Sequence, residues 1–379
     1  MKVLHINFSK SGGAGGFARD LVAAQIAKGI DARIFNLRDS DLRSEPVRDP
    51  LLTLQAFLDE FLLKSIQFDS PISLLRRGTR LTRYDSSFVP DLIHLHWIEG
   101  VVSDAWLKKV SVPIVWTLHD FRPITGACHH PLGCEQLSTG CHSCPAVKPI
   151  FRNLVARSMA SRTQIGTSNN VHYVAPSKWV ADIVMRSGAV STNKVPVIYN
   201  ASPEIHASSK DLQWFHDELG DSNKPIIAIA FGSSVSKLKG QSVLDSFNPG
   251  VFDGYRVVTF GAGALTWAHN NLGVISREKV SVVFAASKLA IIPSQAETFS
   301  LAAFEATRVG TTVCGLPGGA VQEIAETFGE FLVLNTTSLQ SFLQSSNPKI
   351  SRRVSRDMSD VVQEYRDIYQ MAISASLGD

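Results

Sequence analysis

Short apolar runs alternate with helical segments along nearly the whole chain, and this alternation restricts the possible folds more than any other feature. The runs are rich in β-branched side chains and lie at 2–8, 32–37, 92–96, 114–118, 171–175, 195–199, 225–231, 256–260, 274–276, 289–292, 312–314 and 331–334. Helical periodicity separates most of them, for example at 17–28, 299–309 and 320–327. Such alternation is typical of βαβ units, so the sequence predicts an α/β, doubly wound fold with parallel sheets.

The series of strands and helices occurs twice, which predicts two domains. A chain of 379 residues also exceeds the size at which one hydrophobic core stops growing. Polar residues interrupt the apolar pattern at 197–225, so we place the boundary there. The expected division is a first domain at 1–199, a second at 200–355, and a C-terminal helix at 356–379 that returns to the first domain.

Composition and charge exclude several classes of protein. Hydrophobic residues make up 44% of the chain and charged residues 19%, as in a folded globular protein. A net charge of +3 without a concentrated basic stripe argues against nucleic acid as a partner. Neither a leader peptide nor an apolar run of about 20 residues is seen, so we expect a cytoplasmic protein whose mildly basic face can contact the inner face of the plasma membrane peripherally.

Two further segments have ordinary explanations. Residues 51–81 have amphipathic helical periodicity; a helix packed on the sheet is favoured over a cover or a membrane-facing patch. The sequence Asp39-Ser40-Asp41 resembles a D-x-D metal motif, but it lies in a polar stretch and is interpreted as a solvated loop.

A glycine-rich segment, Gly12-Gly13-Ala14-Gly15-Gly16, follows the first predicted strand. Glycines there allow backbone N–H groups to approach an anion at the N-terminus of the next helix, although a tight turn without a ligand is the alternative. The spaced G-x-G-x-x-G fingerprint with its trailing acid is missing, which argues against a dehydrogenase.

A histidine and an aspartate, His119 and Asp120, end the strand at 114–118. The carboxyl ends of parallel strands form the ligand-binding edge of such folds. His119 can therefore hydrogen-bond a sugar hydroxyl or transfer a proton near neutral pH, with Asp120 orienting it. A structural role for the pair is the alternative.

Two carboxylates, Glu297 and Glu305, lie in the segment P-S-Q-A-E-T-F-S-L-A-A-F-E-A that follows the strand at 289–292. A carboxylate accepts hydrogen bonds from two neighbouring hydroxyls, so vicinal diols of sugars are natural partners. The pattern thus allows one carboxylate to meet a hexose and the other a ribose.

Four of the five cysteines are clustered with the spacing C-x5-C-x6-C-x2-C: Cys128, Cys134, Cys141 and Cys144. The final C-x-x-C suits a tetrahedral structural zinc site. Reduced thiols or an inducible disulfide are the main alternative, and a catalytic thiol is a third. Because the cluster directly follows His119 and Asp120, we expect it to form an ordered loop beside them. The isolated Cys314 is expected to lie in the core.

Taken together, five motifs resemble glycosyltransferase family 4. They are the glycine-rich segment, T-L-H-D, V-I-Y-N at 197–200, K-G at 239–240 and the E-x7-E segment. The run at 119–145, which contains the four clustered cysteines, further resembles a bacterial exopolysaccharide subgroup similar to colanic acid glycosyltransferases. The resemblance implies the GT-B fold, in which two Rossmann-like domains face each other, and retaining transfer. It also implies that Glu297 and His119 act at the reacting sugar, with Asp120 on the acceptor side. The implied donor-binding set is Gly13, Gly15, Gly16, Lys237, Lys239, Phe299, Ser300 and Glu305, where Lys239 neutralises the leaving diphosphate and Glu305 holds the ribose.

The function implied is transfer of a hexose from a nucleotide diphosphate sugar to a lipid-linked or growing saccharide in bacterial surface polysaccharide synthesis. No cofactor is required for this chemistry, since a lysine and backbone N–H groups can stabilise the leaving group. A GT-B epimerase acting on the sugar nucleotide itself is one alternative. A non-catalytic partner subunit is another, and one departure from the family pattern favours it. The family usually has an arginine just after Gly232, where this chain has Ser233 and Ser234, and Lys237 lacks an arginine's bidentate fork.

Overall fold

The computed structural model describes residues 1–36, 72–73, 87–98, 100–190, 195–205, 207–220, 223–232, 237–345 and 356–377. These residues form two compact units: Met1–Asn200 together with Met358–Asp379, and Ala201–Asp357. The D-x-D segment, Ser233, Ser234 and all of 51–81 except Ile72 and Ser73 lie outside the described residues. Ile72 forms an antiparallel bridge with Cys128, so the chain is extended there and not helical as predicted.

The first unit contains a parallel five-stranded sheet in the order β2-β1-β3-β4-β5. Its strands are β1 (Lys2–Asn7), β2 (Asp31–Asn36), β3 (Leu92–Leu95), β4 (Ile114–Thr117) and β5 (Val171–Val174). Its helices are α1 (Gly12–Ala27), α2 (Asp104–Leu107), α3 (Arg152–Gly166) and α4 (Lys178–Ser187). The strand order reverses between β1 and β3: the chain adds β2 on one side of β1 and the later strands on the other. The ligand-binding crevice of such a sheet is expected at the carboxyl ends of β1 and β3.

The C-terminal helix of the chain packs on this first sheet, as the sequence predicts. Within the unit it contacts α1, β3 and β4, and its buried positions include Val361, Tyr365, Tyr369 and Ala372. These positions recur at helical spacing and form one apolar stripe. The Tyr365 hydroxyl lies 2.6 Å from the Thr117 hydroxyl of the sheet. The Tyr369 hydroxyl reaches His94, as described below.

The second unit has a parallel sheet in the order β11-β10-β9-β6-β7-β8, the strand order of a classical dinucleotide-binding fold. Its strands are β6 (Ile226–Ala230), β7 (Arg256–Phe260), β8 (Asn270–Asn271), β9 (Ser287–Ile292), β10 (Thr312–Gly315) and β11 (Phe331–Val333). The helices of the chain continue as α5 (Ser209–Leu219), α6 (Gln241–Asp245), α7 (Arg277–Ala286), α8 (Leu301–Arg308), α9 (Ala320–Phe328), α10 (Thr336–Gln344) and α11 (Met358–Leu377), the last belonging to the first unit.

Three local predictions are wrong. Residues 195–199 are not a full strand: Val197 makes an isolated bridge to Ala175. Residues 274–276 are not a strand either, because the Ser276 hydroxyl caps α7 by accepting from a backbone N–H. Helix α1 begins at Gly12 rather than Phe17, so the glycines form its first turn. Packing overrides their low helix propensity there.

Candidate active site

The second unit places its charged candidates at the point where its strand order reverses. Strands β6 and β9 are neighbours in the sheet, and the chain leaves their carboxyl ends in opposite lateral directions to form the rest of the sheet. The segment after β6 carries Lys239, and the segment after β9 carries Glu297. In open α/β sheets, ligands bind in the crevice at this position.

Lys239 and Glu297 form an ion pair in which Nζ lies 2.6 Å from Oε1. The side chains are 25% and 22% exposed, so the pair is reachable from solvent yet mostly shielded. An ammonium group has three N–H donors. Lys239 can therefore hold Glu297 with one donor and present the others to an anion. The structure thus joins a cation suited to a diphosphate with a carboxylate suited to hydroxyl groups.

Glycine is required at Gly240 to bring these two segments together. A Cβ there, where φ is +77°, would lie 1.9 Å from the carbonyl oxygen of Pro293. Within the first of the two segments, a Cβ on Gly232 would lie 2.6 Å from Cε of the flexible Lys239 side chain, so the small residue leaves room for the lysine as it lies. The backbone N–H of Gln295 donates to the Leu238 carbonyl at 2.8 Å and fastens the two segments. The K-G motif therefore fixes the approach of the lysine to the glutamate.

The other donor-side candidates of this unit have distinct surroundings. Lys237 is exposed in the same short 3-10 helix as Lys239. Phe299 is buried and its ring packs on Phe304, so it supports the loop from the core. Ser300 has a left-handed φ of 52°, and its hydroxyl caps α8 by accepting from the backbone N–H of Ala303.

Glu305 lies on α8 and is paired with a residue that the sequence did not reveal. Oε1 of Glu305 accepts from Nε and Nη2 of Arg277, each at 3.3 Å. Arg277 is the first residue of α7, and no motif marked it as a partner. Its position on a neighbouring helix is evident only from the packed structure. The guanidinium holds the Glu305 carboxylate in one orientation.

In the first unit, the glycine-rich turn lies directly after β1. A Cβ on Gly15 would lie 2.1 Å from the Ser9 carbonyl oxygen, so that position requires glycine. Gly13 is exposed and Gly16 is half-buried, and a Cβ on either would meet no atom within 4 Å. Of the three, Gly15 is therefore fixed by packing, whereas Gly13 and Gly16 leave open backbone at the start of α1.

His119 follows β4 and is partly exposed, but its partner is not the one expected. Its Nε2 lies 3.0 Å from Nδ1 of His96, the residue that follows β3. Although the residue is not fully covered, desolvation of its ring lowers the pKa of His119 to about 4, and the Asp120 charge acts in the opposite direction. His119 is therefore a neutral imidazole at neutral pH. A neutral ring can accept a hydrogen bond from a hydroxyl group at one nitrogen.

The prediction that Asp120 orients His119 is wrong. Oδ2 of Asp120 lies 2.5 Å from Nδ1 of His129, and Oδ1 accepts from the Arg122 backbone N–H at 3.1 Å. Burial acts to raise the pKa of Asp120, but His129, His130 and the Arg122 donor outweigh it and hold that pKa below its usual value. Asp120 thus anchors the cysteine-rich segment that follows.

The four clustered cysteines surround one small cavity, which is also lined by apolar groups such as Ala127 and Val155. All five cysteines of the chain are free thiols, and Cys314 is buried in β10, within the second unit's core, as predicted. The cluster lies between β4 and α3, in a stretch whose regular structure consists of short 3-10 helices. This geometry brings the four sequence candidates together.

The comparison with known families decides the identity. The family model of glycosyltransferase family 4 matches residues 11–202, which is more than half of the chain. This chain belongs to glycosyltransferase family 4. It is 24% identical over 279 residues to a putative colanic acid biosynthesis glycosyl transferase, WcaC, of Escherichia coli K12, covering 69% of this chain and 67% of that protein.

Solved structures share the fold of this family 4 chain. Sucrose-phosphate synthase of Thermosynechococcus elongatus superposes with a TM-score of 0.62 at 15% identity, over 99% of this chain and 100% of that one. Anabaena HepE in complex with UDP-glucose gives 0.58 at 15% identity, over 100% and 99%. Starch synthase IV of Arabidopsis thaliana, bound to ADP and acarbose, gives 0.60 at 15% identity, over 98% and 99%. The predicted GT-B fold is confirmed.

No helix in the described ranges is both long enough and apolar enough to cross a bilayer.

Proposed function

We propose that this family 4 chain is a retaining glycosyltransferase that transfers a hexose from a nucleotide diphosphate sugar to a lipid-linked or growing saccharide acceptor. The pathway we propose is bacterial surface polysaccharide synthesis, supported by the similarity to WcaC. The observation that carries the proposal is the Lys239–Glu297 pair, 2.6 Å apart, at the reversal point of the second sheet.

In this proposal Lys239 stabilises the departing nucleoside diphosphate. Negative charge grows on the diphosphate as its bond to the sugar breaks, and a fixed cation lowers the energy of that state. The donor class is supported by HepE, a structural neighbour solved with UDP-glucose. Because the ammonium and backbone N–H donors supply the charge stabilisation, we propose that transfer requires no metal ion.

Glu297 would hold hydroxyl groups of the donor sugar while remaining bonded to Lys239. This coupling orients the sugar relative to its leaving group, because both are held by one ion pair. Glu305, fixed by Arg277, would hold the ribose. For the first unit taken by itself, we propose that the backbone at Gly13, Gly15 and Gly16 contacts phosphate and that His119 contacts a sugar hydroxyl.

The first test is a thermal-shift screen of nucleotide sugars, because a bound donor stabilises the native state by mass action. We expect one donor class to raise the melting temperature of the wild type. Sugar transfer to an acceptor extract and acceptor-free donor breakdown are then measured separately. Isomerised donor without acceptor would identify the epimerase alternative, and no binding of any nucleotide sugar would favour the non-catalytic subunit.

The second test is Glu297→Gln, which keeps the size of the side chain and removes its charge. We expect transfer to fall by at least about 100-fold, the scale of one oriented charged contact in a transition state. Glu326→Gln is the matched control and should retain wild-type turnover. Glu326 is an exposed carboxylate on α9 that accepts a hydrogen bond from Gln322. Wild-type turnover of Glu297→Gln would remove that residue from the site.

A further inference from the structure

The cysteine-rich segment carries features of a metal site beyond its sequence spacing. From 119 to 148 the chain has little regular secondary structure, yet much of it is buried. Long segments without helices or strands are uncommon in compact domains and need another source of order. Left-handed backbone occurs at Leu132, Gly133, Gly140 and Cys141, so tight turns lie directly before or at two of the cysteines.

Zinc binds the thiolate form of cysteine, and four such sulfurs can complete its tetrahedral shell.

We propose that Cys128, Cys134, Cys141 and Cys144 bind a structural zinc ion that holds this segment after β4. The chemistry of the set fits, since four free thiols line one cavity.

Metal analysis of the intact protein, purified with reductant and without chelator, tests the proposal. We expect one zinc per chain, and cobalt substitution should give the thiolate-to-cobalt absorption of a tetrahedral sulfur site. Cys144→Ser should lose most of the bound zinc, whereas Cys314→Ala, a buried cysteine outside the cluster, should keep it. Substoichiometric zinc after reconstitution, without cobalt–thiolate absorption, would overturn the proposal, as would a disulfide detected by mass in the native protein.

A second, independent observation is a chain of hydrogen-bonded histidines beneath His119. Nε2 of His119 lies 3.0 Å from Nδ1 of His96, and Nε2 of His96 lies 2.9 Å from Nδ1 of His5. Nε2 of His5 lies 2.8 Å from Oε1 of Gln25 on α1. This series of hydrogen bonds thus runs from the end of β4 through the core of the sheet to helix α1.

The donor at each contact is determined by the Gln25 carbonyl, which can only accept. His5 must then donate from Nε2, which leaves Nδ1 of its neutral ring to accept from His96. By the same logic His96 accepts at Nδ1 from the Nε2–H of His119. We infer that Gln25 sets the tautomer of His119, which carries its proton on Nε2 and uses Nδ1 as a hydrogen-bond acceptor.

The C-terminal helix holds the other side of the Gln25 amide. Nε2 of Gln25 donates to the Tyr369 hydroxyl at 2.9 Å, and that hydroxyl lies 2.6 Å from Nδ1 of His94. Tyr369 then donates to His94, whose Nε2–H donates to Thr117 at 2.7 Å. All four histidines therefore carry the proton on Nε2. A reversed amide would shift all four protons to Nδ1, so the network acts as a unit.

His5, His94 and His96 also form the three-histidine group whose ligand atoms lie within 4.8 Å, but a metal site is disfavoured. All six ring nitrogens are used in the hydrogen bonds just described. The rings of His94 and His96 are stacked with centroids 4.2 Å apart. Burial lowers the pKa of His5 to about 4 and those of the other two well below their usual value. Each ring is therefore neutral and carries one proton, as the hydrogen bonds between the histidines require.

Resting on the proposed function, this inference makes Gln25, His5 and His96 positioning residues for His119. A His119 with Nδ1 unprotonated accepts a hydrogen bond from a sugar hydroxyl, whereas the opposite tautomer would donate. The hydrogen-bonded histidines would thereby fix how His119 contacts substrate.

Nitrogen NMR of the full chain labelled at histidine reads the tautomers directly, independently of turnover. At pH 7 we expect protonated Nε2 in all four rings, assigned with His119→Asn and His96→Gln. Gln25→Met removes the acceptor and should give mixed tautomers at His119, while Gln213→Met, at an exposed glutamine on α5, should leave them unchanged. A wild-type His119 protonated on Nδ1 or on both nitrogens would overturn the inference, as would unchanged tautomers in Gln25→Met. Wild-type tautomers without transfer to any saccharide would instead count against the proposed function alone.

Discussion

Replacing Gly240 by alanine tests whether the close contact between the two segments of the second unit shapes the site. The added Cβ would lie 1.9 Å from the Pro293 carbonyl oxygen, so the segments must separate by about 1 Å to reach the roughly 3 Å that real contacts allow. That shift stretches the 2.8 Å bond from Gln295 to the Leu238 carbonyl beyond hydrogen-bond range. Leaving a shielded donor or acceptor without its partner costs about 1–3 kcal/mol.

Gly254 provides the matched control. Its φ of +86° is close to the +77° of Gly240, but an added Cβ there meets no atom within 4 Å. Both alanine variants carry the left-handed strain of about 1–2 kcal/mol. Only Gly240→Ala adds the lost bond, so we expect it to be less stable than Gly254→Ala by about 1–3 kcal/mol.

Urea unfolding of both variants measures this difference through the shift in midpoint. The same displacement moves Lys239 relative to Glu297, so stabilisation by the nucleotide sugar should fall in Gly240→Ala and stay at the wild-type level in Gly254→Ala. Equal unfolding midpoints for the two variants would refute the reasoning, because the Pro293 contact would then cost nothing.

Three further predictions follow from charged and titrating groups. Lys239→Ala should weaken nucleoside diphosphate binding by roughly 10–100-fold in calorimetry, because a hydrogen bond to a charged group contributes about 1.5–3 kcal/mol. Lys210→Ala, at an exposed lysine on α5, is the control and should leave binding unchanged. Arg277→Ala should reduce the free energy of unfolding by no more than about 1 kcal/mol, since its pair with Glu305 is partly exposed; a larger loss in urea unfolding would contradict this. The pKa of His5 is about 4 in the folded state and 6.5 in the unfolded state, so between these pH values the unfolded state binds more protons. The free energy of unfolding should therefore fall as the pH falls, by up to about 1.4 kcal/mol per pH unit for this residue. Unfolding midpoints that stay constant from pH 7 to 5 would contradict it.

Strand and helix positions could be predicted well because the apolar runs are short and bounded by polar residues. The run at 256–260 coincides with β7, and the predicted return of the C-terminal helix is confirmed. Failures occurred where one contact decides the local structure. At 274–276 three apolar or small residues suggest a strand, but the Ser276 hydroxyl caps a helix instead.

The candidate site was predictable only in part, because motifs identify residues but not their partners. The K-G and P-S-x-x-E motifs indicated Lys239 and Glu297, and the structure adds that they contact each other. Arg277 carries no local signal, since its role depends on α7 packing beside α8. The pattern H-L-H at 94–96 did contain a signal: alternate residues of a strand share one face, so both histidines point to the same side.

The C-terminal helix has a consequence for how the chain matures. Tyr365 and Tyr369 are fully buried in the first unit, yet the whole of Ala201–Asp357 is translated between Asn200 and that helix. During synthesis the second unit can fold as a continuous stretch of sequence. The first unit still lacks the C-terminal helix at that stage, so the Gln25 amide and the His94 ring are uncovered. Ribosome-stalled chains ending before residue 358 should therefore expose the first unit to proteolysis while the second is already resistant.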